Sequence, residues 1–100
     1  MEIKSELLNK ETQNKLTPDQ VYDALKQGNK RYINNQLTEV SLDGLRSDSV
    51  NGQFPQAIVL SCIDSRVVVE QVFDQALGDI FVARVAGNFA NTDIVASMEY

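Results

Sequence analysis

Histidine and tryptophan are absent from the 100 residues, and cysteine occurs once, at Cys62. One cysteine cannot close an internal disulfide, so nothing in the chain calls for an oxidising compartment. The missing histidine removes the commonest metal ligand and proton shuttle. Basic residues are outnumbered by acidic ones, 9 to 14, for a net charge of −5. That balance excludes the basic face of a nucleic-acid binder and the polybasic patch that docks on anionic lipid. No apolar run approaches the roughly 20 residues of a spanning helix, and the start "MEIKSELLNKETQNK" is too polar for a secretion signal. The expected compartment is the cytoplasm. Glycine and proline are sparse, 5 and 2, so turns are few and each is informative.

What is present is a globular composition, with 43% apolar residues in a length that allows one small domain. Ile3, Leu7 and Leu8 stand at helical spacing in a polar N-terminal arm that must pack on something to persist. Thr17-Pro18-Asp19-Gln20 predicts a capped helix start, followed by a stripe of Val21, Leu25, Tyr32 and Ile33 to about Asn34, with Gly28 weakening the helix modestly. Residues 38–55 read as a polar connector. "AIVLSCI" over 57–63 predicts a strand covered on both faces. Residues 67–77 predict a helix closed by Gly78-Asp79, and "IFVARVA" a second strand ended by Gly87-Asn88. Asn91-Thr92-Asp93 opens a last helix through Ile94, Val95 and Met98.

The order is strand, helix, strand, so the fold class is α/β: a βαβ unit of a mainly parallel sheet preceded by N-terminal helices. The expected division is a helical arm over 1–36 and the βαβ part over 37–100. Ligands of such sheets bind beyond the carboxyl ends of the strands, where "CIDSR" and "AGN" should lie side by side.

Taken one at a time, these residues have plain structural readings. A lone cysteine at a strand end is most often a small core hydrophobe, and Asp64 with Arg66 most often a solvated pair. Phe81 reads as core and Gly87-Asn88 as a turn. Cysteine nucleophile chemistry fails on spacing. The position six after Cys62 is Val68 and the position five after it is Val67, where phosphatase and sulfurtransferase loops need arginine. A protease pair would need a histidine base. Metal binding is what remains: zinc accepts thiolate and carboxylate, and Arg66 could orient the Asp64 carboxylate.

Many positions at fixed spacing, "SCIDSRVVVEQVFDQALGDIFVARVAGN", with "LTPDQVYDALKQGNKRYINNQ" before them and "SMEY" after, resemble the first half of the β-class carbonic anhydrases over residues 16–100. The resemblance implies an incomplete half of that fold and an intact protein that hydrates carbon dioxide reversibly to bicarbonate. It implies Zn2+ as cofactor and a homodimer or tetramer as the working form. Cys62 matches the first zinc-binding cysteine. Asp64 matches the aspartate that accepts a hydrogen bond at the metal centre or ligates zinc in a closed resting form, and Arg66 its dyad partner. Gln53 matches a substrate-binding glutamine supplied by the neighbouring subunit. Phe81 and Tyr100 match residues lining the substrate cleft. Glu70, Arg84, Gly87 and Asn88 match structural positions.

The family's remaining zinc ligands, a histidine and a second cysteine in a His-x-x-Cys motif, have no counterpart in these residues. With at most Cys62 and Asp64, the 100 residues alone are expected to be inactive and not to hold zinc stably. They read as the N-terminal portion of a longer protein, and alone as aggregation-prone or partner-dependent. The alternative is a non-catalytic paralogue, a structural or binding module without a complete zinc site.

Overall fold

The computed structural model describes residues 3–100; residues 1 and 2, the start of the expected arm, lie outside the described residues. In chain order the elements are α1 (Lys10–Lys15), α2 (Pro18–Ile33), α3 (Leu42–Ser49), β1 (Ala57–Ser61), α4 (Val69–Val72), β2 (Ile80–Arg84) and α5 (Thr92–Glu99). The strands pair in parallel, in register from Ala57 opposite Ile80 to Ser61 opposite Arg84, with α4 in the crossover. The α/β class and the parallel unit are therefore as expected.

Helix starts follow local chemistry. Thr17 caps α2 by accepting from the Gln20 amide while the Gln20 side chain accepts from the Thr17 amide, and Pro18 occupies the first turn. Asn91 caps α5 through the Ile94 amide at 2.9 Å. The arm departs from a continuous amphipathic helix. Only Lys10–Lys15 is helical, capped by Asn9, while Lys4 bridges Val40 in extended form. The connector over 38–55 contains α3, capped by Ser41, and its Leu45 is fully buried.

The helix expected over 67–77 is a single turn. Its N-cap is Val68, which has no side-chain acceptor for the free amides, and three β-branched valines lead into it. Its end is fixed from outside. Asp74 adopts a positive φ of 49°, and the Asn29 side-chain Nδ2 of α2 donates to the Val72 carbonyl at 2.9 Å. Gly28 lets α2 come this close, since a Cβ there would lie 1.7 Å from the Phe73 carbonyl oxygen. The residue expected to weaken α2 is thus the one that permits its docking.

Asp74 also accepts from the Arg31 guanidinium and from the Thr38 amide at 2.9 Å. Nearby, Asp79 is 2% exposed and accepts from Lys4 Nζ at 2.9 Å and from the Ala76 amide at 2.7 Å, while its Oδ1 is buried without a partner. Among the described residues the apolar core is Leu45, Val69, Ala76 and Ile80. The strand expected to be covered on both faces is not: every residue of β1 is half-buried, because among the described residues the sheet has two strands and its helices cover it only in part. Tyr32 and Ile33, expected near one apolar stripe of α2, are exposed at its last turn.

Candidate metal centre

β1 ends at Ser61, two residues earlier than expected, so Cys62 opens the loop that carries Asp64 and Arg66. Parallel pairing places the end of β2 beside that loop. The Val85 amide donates to the Ser61 carbonyl at 3.0 Å, and the chain then turns at Gly87 and Asn88, both at positive φ. In that turn the Gly87 amide donates to Cys62 Sγ at 3.3 Å. The two strand ends meet as the βαβ reading requires.

Cys62 is half-buried and carries a free thiol. The Gly87 N–H pulls that thiol below its usual range, helped by the Asp64 N–H and opposed by burial and the Asp64 charge. Asp64 is gripped by Arg66: Nε donates to Oδ1 at 3.0 Å and Nη2 to Oδ2 at 2.7 Å, while the Arg66 amide donates to Oδ1 at 2.9 Å. The Arg66 side chain, and after it the Arg66 amide, hold the Asp64 carboxyl below the usual carboxylate range, and the same contact raises the guanidinium. Because the Arg66 side chain is 87% exposed, such a pair contributes little to stability.

The other expected residues are distributed differently. Phe81 and Tyr100 meet edge to face, ring centres 6.0 Å apart and 75° inclined, with Tyr100 90% exposed at the end of α5. Gln53 is exposed and makes no hydrogen bond among the described residues. It precedes β1, whereas Cys62 follows it, so a strand of about 3.3 Å per residue separates the two along the chain. Cavities of about 470 Å3 lie elsewhere, one against Leu16, Val21 and Pro55 and one against Lys4, Arg31 and Asp79, and neither includes Cys62, Asp64 or Arg66. The candidate centre is an open surface.

Sequence reading left two local features unassigned. One is the Gly87 amide as a donor to the thiol; the other is Arg84 as a donor to the loop main chain, Nε to the Cys62 carbonyl and Nη2 to those of Asp64 and Val67. Once parallel pairing is assumed, the signal for both is register, because Arg84 falls opposite Ser61.

Zinc suits this donor set in kind, a polarised thiol and a carboxylate, but not in number. Among the described residues no group of three potential ligands gathers, and both Asp64 oxygens are occupied by Arg66. Such a strand-end loop, with one thiol and one carboxylate side by side at the carboxyl ends of parallel strands, belongs to an α/β protein.

Comparisons with known proteins bear on the family. Residues 57–100 match a protein-family model described as carbonic anhydrase. Carbonic anhydrase 2 of Mycobacterium tuberculosis strain H37Rv is 41% identical over 85 residues, covering 83% of this chain and 41% of that protein. The carbonic anhydrase of Mycolicibacterium smegmatis gives the same identity and coverage. These matches support the chain as an N-terminal portion of a β-class carbonic anhydrase. It spans about two fifths (41%) of the length of these relatives.

Proposed function

We propose that the full-length protein to which this chain corresponds is a zinc-dependent lyase that interconverts carbon dioxide and bicarbonate in the cytoplasm, as a homodimer or tetramer. The observation that carries this reading is the grip of Arg66 on Asp64 beside a thiol lowered by the Gly87 N–H. Exposed ion pairs are weakly stabilising, so a forked, main-chain-assisted pair at a strand end is better accounted for by chemistry than by folding.

Cys62 would hold the zinc, with the ligands this chain lacks coming from outside the 100 residues. When bound, zinc would supply a water acidified enough to be available as hydroxide near neutral pH. The chain's own residues do the rest. The Gly87 N–H favours the thiolate form that a metal needs. Arg66 keeps Asp64 ionised and aimed, so the carboxylate accepts a hydrogen bond at the reacting centre. Phe81 and Tyr100 offer an apolar wall to a small nonpolar substrate. Gln53 would serve a neighbouring subunit's site, in keeping with its place at the opposite end of β1. The 100 residues by themselves would be inactive, having too few ligands.

The test is carbon dioxide hydration by the full-length protein, followed by stopped flow, with zinc content measured alongside. Asp64→Asn should lower kcat/KM at least about tenfold, as loss of an orienting partner at a metal centre does. Unchanged hydration and zinc content in that variant would rule out the role given to the carboxylate. Absence of hydration and of zinc in the unmodified protein would leave a structural or binding module.

A further inference from the structure

Arg84 is exposed, yet three of its N–H bonds point to main-chain carbonyls: Nε to Cys62 at 2.9 Å, Nη2 to Asp64 at 2.8 Å and to Val67 at 2.9 Å. All three acceptors belong to the loop between β1 and α4, which has no strand partner to satisfy them. The register supplies the reason for the meeting, since Arg84 ends β2 opposite Ser61, the last residue before the loop. Arg66 fixes the Asp64 side chain, and Arg84 fixes the main chain of that residue and of Cys62. A guanidinium does this with donors set apart in one rigid plane; a lysine has a single nitrogen on a flexible stem.

We propose that Arg84 is a positioning residue that holds the Cys62–Val67 loop in shape, so that the Cys62 thiol and the Asp64 carboxylate keep the relative placement a metal requires. The metal half of this statement rests on the carbonic anhydrase reading; the loop-holding half does not.

The experiment uses the full-length protein, unmodified and as Arg84→Lys and Arg84→Met. In the metal-free proteins, trypsin cleavage after Arg66 is followed by mass spectrometry relative to cleavage after Arg46 in α3. Zinc affinity is measured by competition with a chelating dye. Both variants should raise the Arg66-to-Arg46 cleavage ratio about tenfold or more and weaken zinc binding by about 10- to 100-fold. An unchanged ratio overturns the proposal. So does equally faster cleavage at both sites, which reports general unfolding. Full recovery of both readouts by lysine overturns it too, since charge alone would then suffice. Unchanged zinc affinity despite faster loop cleavage overturns the metal half. If Arg84→Met does not fold, the lysine variant decides; failure of both to fold overturns the proposal by making Arg84 a support of the whole fold. An unmodified protein that neither binds zinc nor hydrates carbon dioxide sinks the carbonic anhydrase reading and the metal half, while the cleavage ratio still decides the loop half.

Discussion

Asp74 and Asp64 each accept hydrogen bonds from an arginine, and the surroundings of the two pairs separate the scaffold of this protein from its proposed site. Asp74 lies at the end of α4 with its side chain 6% exposed, tied to Arg31 of α2 and to Thr38. Asp64 lies in an open strand-end loop, tied to an arginine two residues away. The first pair links segments 43 residues apart and so belongs to folding. The second links nothing distant. What it fixes is the direction of a carboxylate, a property useful to a reaction rather than to stability.

The same contrast runs through both regions. Around Gly28, Asn29 and Asp74, a helix is seated on main-chain carbonyls, with buried side chains and satisfied ends. Around Cys62, Phe89 and Tyr100, apolar groups stand exposed. The first region is held by buried contacts between distant segments, whereas the second leaves its apolar groups open.

The sharpest way to break the first region is Gly28→Ala. The added carbon would overlap the Phe73 carbonyl, which cannot rotate away, so α2 must lift from α4. The expected loss is about 3 kcal/mol by urea unfolding, despite the better helix propensity of alanine. A neutral or stabilising result would show that α2 does not seat there.

Asp74 gives a smaller, pH-dependent effect. Burial pushes its carboxyl up, but hydrogen bonds from Thr38 and Arg31 outweigh that and leave it below the usual range. A group depressed on folding adds stability that is present above its unfolded pKa of about 3.9 and is lost as pH falls through the folded value. The unmodified protein should therefore weaken below about pH 4. Asp74→Asn should cost roughly 1–3 kcal/mol at neutral pH and flatten that acid decline. Parallel acid limbs in the two proteins would contradict this account.

The mildest probe lies on the open side. Asn91→Ala removes the cap of α5 and should cost about 1 kcal/mol, with loss of order at Tyr100 visible in the fluorescence of the tyrosines. A cost of several kcal/mol would mean that α5 is as embedded as α2.

How much of this was legible follows from which interactions are local. The capped starts of α2 and α5 and the parallel pair were readable, because cap chemistry and apolar runs act within a few residues. The short α4 was not. Its apolar positions fit a helix through Leu77, and its end is imposed by Asn29 and Gly28, more than 40 residues away. α3 was hidden in a polar stretch whose one buried anchor is Leu45. At the site, the nearness of Cys62, Asp64 and Arg66 was readable from adjacency. The donations from Gly87 and Arg84 depend on register, which spacing alone does not fix. Roles for Gln53, Phe81 and Tyr100 came from the resemblance, and of these three the structure joins only Phe81 with Tyr100.

The central claim is that this chain builds one part of a zinc centre around Cys62 and takes the rest from elsewhere. Zinc affinity of three proteins tests it most directly: the full-length protein, its Cys62→Ala variant and the 100-residue chain. The account predicts one tightly held zinc per full-length chain, and its loss both in the variant and in the 100 residues alone. Tight, stoichiometric zinc in the 100-residue chain, or zinc retained without Cys62, would contradict it.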